Sequence, residues 1–236
     1  MPASIPREER LILALDVPSV SQAREFVERA GDAVRFYKIG LELFMAGGYF
    51  ELLEWLTARN KKVFVDLKFF DVPETVGAAV RALRESGAAF ATVHGNQAIM
   101  EAAAREKGQT KILAVTVLTS LDRGDLDDLG FACDVGELVL SRARRALQTG
   151  CDGIISSGLE APRIRAELGD RILVVTPGIR PVDNRSADDQ KRTVDVAEAF
   201  NNGADYIVIG RPIRNAPDPR AAAEAVQATI ASLFAR

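Results

Sequence analysis

The sequence predicts a (β/α)8 barrel, an α/β fold in a single domain covering residues 1–236. Three observations lead there. Eight short apolar runs alternate with Ala- and Glu-rich stretches of helical spacing along the whole chain. Asp16, Lys38, Asp66, His94 and Thr116 close the first five runs at intervals of 22, 28, 28 and 22 residues, about one strand–helix unit each. The long connections 119–135 and 177–192 are rich in Asp, Arg, Gly and Pro and read as functional loops or lids, not as domain linkers. A doubly wound open sheet is the competing architecture, but no Gly-x-Gly-x-x-Gly follows the first run.

The elements follow in order. Strand 11–16 alternates Ile12, Ala14 and Asp16 with Leu11, Leu13 and Leu15, so Asp16 shares a face with two apolar residues. Ser19 or Ser21 can cap a helix over 21–30, and Gly31 sits where that helix should end. Strand 35–39 places Lys38 on the face of Phe36. Helix 49–59 sets Trp55 at helical spacing from Leu52 and Arg59, which suits packing. Strand 62–68 puts Phe64, Asp66 and Lys68 on one side and Val63, Val65 and Leu67 on the other. Helix 74–86 stops before Gly87, and strands 90–94 and 111–116 follow. Helix 136–149 ends at Gly150, with Arg142, Arg144 and Arg145 as a solvated basic face. Strands 153–156, 172–176 and 206–210 and a last helix over 220–234 complete the barrel.

Composition narrows the function. Hydrophobic residues make up 47% and charged residues 27%, ordinary for a globular enzyme, and the net charge of −3 gives no reason to expect nucleic acid or an anionic membrane as partner. Cys133 and Cys151 do not make a disulfide framework. One histidine, His94, cannot build a multi-histidine metal site, although a carboxylate-bound magnesium stays open. The first ten residues lack the apolar core of a signal peptide and no segment reads as a membrane span, so the expected location is the cytoplasm.

In such barrels the C-terminal strand ends line the active site. Two anions and two cations, Asp16, Lys38, Asp66 and Lys68, would therefore meet in one mouth from three adjacent strands. Buried ions recover little net stability, which favours a chemical over a structural reason for the cluster. Strand seven runs into Thr176-Pro-Gly-Ile-Arg-Pro181 and strand eight into Ile209-Gly-Arg-Pro-Ile213. Gly178 and Gly210 let backbone N–H groups approach an anion, and Arg180 and Arg211 can grip phosphate oxygens. Together these features imply a phosphorylated small molecule and chemistry with proton transfer or developing negative charge. His94 reads as a satisfied strand-end residue lining the pocket, not as a general base, and the two thiols read as inert.

Over its full length the chain resembles the orotidine 5′-monophosphate decarboxylase family. The resemblance rests on Leu13-Ala-Leu-Asp16, Lys38-Ile-Gly-Leu-Glu-Leu-Phe44, Asp66-Leu-Lys-Phe-Phe-Asp-Val-Pro-Glu-Thr75, Val93-His94, Val115-Thr-Val-Leu-Thr-Ser120, Thr176-Pro-Gly-Ile-Arg-Pro181, Asp189-Gln-Lys-Arg192 and Gly210-Arg-Pro-Ile213. Phe70 and Glu74 depart from the usual His and Asn. The resemblance implies cofactor-free, metal-free decarboxylation of orotidine 5′-monophosphate to UMP, the last step of de novo pyrimidine synthesis. It implies Lys68 as proton donor at C6 of the ring, Asp66 near the departing carboxylate, and a charge array of Lys38, Asp66, Lys68 and Asp71. Asp71 and Thr75 would come from the other subunit of a homodimer. Asp16 and Lys38 match ribose-binding positions and Thr119 a position near the pyrimidine. Arg180, Gln190, Gly210 and Arg211 match the phosphate grip. The Asp66-x-Lys68-x-x-Asp71 core is shared with Mg²⁺-dependent sugar-phosphate decarboxylases and aldolases, which remain an alternative. A non-catalytic phosphate-ligand binder is a third.

Overall fold

A computed structural model describes residues 5–180 and 192–235. Eight parallel strands close a barrel in chain order: β1 (Leu11–Ala14), β2 (Phe36–Gly40), β3 (Lys62–Phe69), β4 (Phe90–His94), β5 (Lys111–Val115), β6 (Gly153–Ile155), β7 (Leu173–Thr176) and β8 (Tyr206–Ile209). The helices are α1 (Val20–Ala30), α2 (Leu41–Met45), α3 (Tyr49–Thr57), α4 (Pro73–Leu83), α5 (Gln97–Glu106), α6 (Arg123–Asp128), α7 (Val135–Gln148), α8 (Ala161–Leu168), α9 (Val196–Asn201), α10 (Arg211–Arg214) and α11 (Pro219–Leu233). The (β/α)8 expectation holds. No helix among the described residues is long and apolar enough to cross a membrane.

Alternation along the strands sorts the apolar side chains into two layers. Ile12, Ala14, Phe36, Phe64, Phe90, Leu113, Val175, Tyr206 and Val208 fill the barrel interior. Leu11, Leu13, Leu15, Val63, Val65 and their counterparts pack outward against the helices. Four aromatic rings plug the interior: Phe90 lies 4.9 Å from Phe36, 6.0 Å from Phe64 and 5.1 Å from Tyr206, mostly edge-on. Those offset and edge geometries are the favourable ones for aromatic pairs. The plug gives the charged strand ends above it a dry, rigid floor.

The turns follow local chemistry. The Ser19 hydroxyl accepts from the Gln22 N–H at 3.3 Å and starts α1, while Gly87 and Gly150 take φ of +80° and +84°, a region L-residues avoid. Within the 119–135 connection the chain is not all loop. Asp122 and Asp125 form a capping box that nucleates α6, a start signal the loop-like composition obscured. The basic face of α7 also needs correction. Arg144 is exposed and paired with Glu167, but Arg142 is half-buried and donates to the Thr116 carbonyl. Trp55 is stacked by Arg59, whose guanidinium lies 3.9 Å from the ring centre.

Barrel closure depends on close approach at β6. A Cβ on Gly153 would lie 2.6 Å from Leu113 Cδ2 and 2.9 Å from Leu173 Cβ, on both neighbouring strands. Gly153→Ala should therefore cost about 1–3 kcal/mol of overpacking. Urea unfolding would show it as a lower midpoint at unchanged slope; an unchanged midpoint would mean the strands yield freely there.

Candidate active site

One departure from regular pairing shapes the site. β3 advances four residues, Val65 to Phe69, while β4 advances two, Ala91 to Val93. The surplus forms a bulge that holds Lys68 at φ +49°, left-handed territory that costs a non-glycine residue about 1–3 kcal/mol. Compensating bonds surround it. The Lys68 N–H donates to Thr92 Oγ1 at 3.0 Å, and Thr92 Oγ1 donates to Asp66 Oδ1 at 2.9 Å. Thr92 is fully buried and was not anticipated from sequence. Its signal was there: it shares a strand face with Phe90, so a hydroxyl in that position had to point into the barrel.

Lys38 Nζ lies 2.9 Å from Asp16 Oδ1 and 3.4 Å from Asp66 Oδ2, and Lys68 Nζ lies 3.0 Å from the same Asp66 oxygen. The result is an alternating chain, Asp16–Lys38–Asp66–Lys68, in which each inner charge sits between two opposite ones. Burial pushes the Asp66 pKa up, but Lys38, Lys68 and the Thr92 hydroxyl outweigh it, so its carboxyl ends below the ordinary value of 3.8. Burial pulls Lys38 down, but Asp66 and Asp16 outweigh it, so its ammonium ends above 10.5. Both stay ionised at neutral pH.

These groups line one cavity of about 500 Å³ at the C-terminal barrel mouth, with Thr119, Gly178, Arg180, Gly210 and Arg211 on its other walls. That size suits a small-molecule ligand. Gly178 has φ +77°, and Arg180 is buried with Nη1 on the Ile179 carbonyl at 2.8 Å. Ser120 and Arg214 also line the cavity and carry no expectation from the sequence; one buried nitrogen of Arg214 has no hydrogen-bond partner among the described residues. Arg214 falls three residues after Arg211 in a short helix, and that spacing was the available signal.

Other expected residues lie elsewhere. Asp71 and Thr75 are exposed and outside the cavity, and the Asp71 carboxylate accepts from the Val72 N–H at 2.6 Å. Within one chain the array therefore runs Asp16–Lys38–Asp66–Lys68, and Asp71, expected from the other subunit, is no part of its own chain's array. Gln190 lies outside the described residues. His94 does not line the cavity. It stacks on the exposed Phe70, ring centres 4.2 Å apart, and shares a hydrogen bond with Asn96. Burial lowers its pKa. Thr116 likewise turns away and donates to the Ile155 carbonyl at 2.7 Å. Cys151 is buried, its thiol pushed up to about 11 by desolvation, and Cys133 is partly buried; neither forms a disulfide. Among the described residues no group of three or more His, Cys, Asp or Glu could hold a metal ion.

Residues 9–226 match the model of the orotidine 5′-phosphate decarboxylase / HUMPS family. The chain belongs to that family. It is an enzyme of the decarboxylase type. A protein of Methylococcus capsulatus named orotidine 5′-phosphate decarboxylase is 69% identical over 231 residues, 98% of this chain and 96% of the relative. One of the same name from Stenotrophomonas maltophilia is 52% identical over 236 residues, 99% and 98% of the two chains. The crystal structure of the Lactobacillus acidophilus orotidine 5′-phosphate decarboxylase superposes with a TM-score of 0.83 at 35% identity, covering 94% of this chain and 99% of that one.

The array has a pH signature. Asp66, with a depressed pKa, contributes stability that is complete above about 3.8 and is lost as pH falls through its folded value. Lys38, with a raised pKa, contributes stability that holds below 10.5 and is lost as pH rises through its folded value. Lys38→Met removes one of the two cations beside Asp66, so the acid loss should begin at higher pH, with about 3–5 kcal/mol lost near neutrality. Urea titrations from pH 4 to 8 would test this. An acid limb identical to that of the unsubstituted protein would show that Lys38 does not hold Asp66 ionised.

Proposed function

We propose that the chain converts orotidine 5′-monophosphate to UMP and CO2, the closing step of de novo pyrimidine synthesis, with fixed charges in place of a cofactor. The supporting observation is the ammonium of Lys68, 3.0 Å from a buried Asp66 that also holds Lys38, at a cavity whose far wall carries Arg180 and Arg211. Breaking the bond between C6 and the carboxylate leaves an electron pair in the ring plane, where the π system cannot spread it. A preset cation beside that carbon is the remedy such a reaction needs. Lys68 stabilises the forming carbanion and gives it a proton, so a C–H bond replaces the C–C bond, CO2 departs, and the resulting amine is reprotonated from solvent. Asp66, already fixed by Thr92, holds Lys68 in that position.

Asp16 and Lys38 face the ribose hydroxyls, Thr119 and Ser120 the pyrimidine, and Arg180, Gly210, Arg211 and Arg214 the phosphate, with Gln190 assigned there by resemblance alone. The phosphate lies far from the breaking bond, yet its binding energy can hold the ring in place and exclude water. A homodimer completes the proposal. Leu41 and Met45 on α2, and Phe70 and Val72 flanking Asp71 on the loop after β3, expose apolar side chains. Such apolar exposure marks an association surface. Across it, a partner's Asp71 would add a carboxylate to the open side of Lys68.

Absorbance at the orotate band tests the reaction directly, and the rate should be unchanged by EDTA; dependence on a divalent cation would favour the sugar-phosphate alternative. Lys68→Ala should abolish turnover while still binding UMP, and substantial residual turnover would remove it from the proton-donor role. Arg211→Ala should lower kcat/KM for the nucleotide on the order of 30- to 1,000-fold, about 2–4 kcal/mol, while sparing the bare nucleoside. Mixing Lys68→Ala with Asp71→Ala subunits should restore roughly a quarter of the activity if Asp71 serves the neighbouring site. No restoration would confine Asp71 to its own chain.

A further inference from the structure

Arg192 ends the Asp189–Arg192 motif, and none of the roles above uses it. Its side chain is only 10% exposed. Nη1 donates to Glu160 Oε1 at 2.5 Å, and that glutamate side chain is itself 13% exposed. Nη2 donates to two backbone carbonyls of the loop after β5, Val117 at 3.2 Å and Leu118 at 3.0 Å. The Leu118 carbonyl also accepts the Leu121 N–H at 2.9 Å, which closes the turn 118–121. The two residues at the corner of that turn, Thr119 and Ser120, line the cavity.

We propose that Arg192, held by Glu160, is a positioning residue that sets the 118–121 turn and so presents Thr119 and Ser120 to the ligand. Burying an arginine is costly unless it is paired and hydrogen-bonded, and the single bond to Glu160 leaves the second nitrogen in need of acceptors of its own. That second nitrogen is placed on the carbonyls flanking the pocket turn. A planar guanidinium can address a carboxylate and two carbonyls at once because its donors diverge in a fixed fork; an ammonium in the same place is a point charge on a flexible stem. Upstream, Arg142 donates to the Thr116 carbonyl. Residues 116–118 are thus gripped by two arginines from different elements. The geometry of Thr119 is therefore set by charge-assisted bonds to its backbone neighbours, not by the sequence of the loop.

The inference rests on the decarboxylase reading of the cavity, but one arm of its test does not. In Arg192→Lys, amide exchange at Leu121 should accelerate about tenfold or more while Leu113, inside β5, stays protected. This arm needs no turnover, so it separates failure of the inference from failure of the reading. In the assay, Arg192→Lys should lower kcat/KM on the order of 10- to 100-fold, the scale of a small misplacement of a ligand-contacting group. The loss should shrink when Thr119 is already Ala, because both changes remove the same contact. Glu160→Gln, which keeps a hydrogen bond to the guanidinium, should lose less than Glu160→Ala. Unchanged exchange at Leu121, or fold-losses for Arg192→Lys and Thr119→Ala that simply multiply, would overturn the proposal. Failure of both Arg192→Lys and Glu160→Gln to fold would assign the pair to the framework and overturn it as well.

Discussion

Asp66 is a carboxylate only 9% exposed, at the end of a barrel strand, and the site is organised around keeping it charged. Lys38 and Lys68 share its Oδ2, and Thr92 occupies its Oδ1. Remove any of these and a buried anion loses compensation, which is among the more expensive defects a protein can carry. The same bonds fix Lys68, because its backbone N–H is held by the hydroxyl that holds Asp66. The bulge in β3 and the positive φ at Lys68 belong to this arrangement. They crowd two successive inward-facing ions, Asp66 and Lys68, against a single residue of β4, and the network over-determines a conformation that would otherwise relax.

The barrel supplies what that network needs. Phe36, Phe64, Phe90 and Tyr206 close the interior directly beneath the charges, and phenylalanine rings offer no competing polar contact. Low local dielectric strengthens each ion pair and makes each unpaired ion costlier. Desolvation is the largest single force on both Lys38 and Asp66, yet the opposite charges and hydrogen bonds together outweigh it, and each ends more firmly ionised than in water. A field preset in this way does not have to reorganise when charge develops in a ligand, which is the physical advantage of rigidity here.

The barrel was legible in the sequence because its signals are local and periodic. Parity along 11–16 and 62–68 assigned Asp16, Asp66 and Lys68 to the inner face, and the packing layers agree. Arg180, Gly210 and Arg211 were found from their place after the last two strands. The misses have a common cause. Thr92 acts through Asp66 and Lys68 on the neighbouring strand, and Ser120 and Arg214 count only through a cavity assembled from segments far apart in the chain, so strand parity or helical spacing marked their direction but not their use. His94 misled for the opposite reason: its strand-end position was right, but its ring is taken by Phe70. The helix α6 was hidden because its capping aspartates look, by composition, like loop.

In the proposed homodimer, Asp71 is the member of the array that one chain would take from the other. The inner array pairs two anions with two cations, so its charges balance without help from outside. Yet Lys68 is 41% exposed on its outer side, whereas Lys38, held between two carboxylates, is 12% exposed. An ammonium with one carboxylate partner and an open flank is less constrained in charge and in rotamer than one with two. Asp71 lies only three residues further along the same segment, on a loop that carries exposed Phe70 and Val72. A loop that turns an acid and two large apolar groups away from its own site suits association better than isolation. In the proposed homodimer, burial of the apolar pair on a second copy would bring the acid to the open flank of that copy's Lys68, coupling assembly to the constraint on that ammonium.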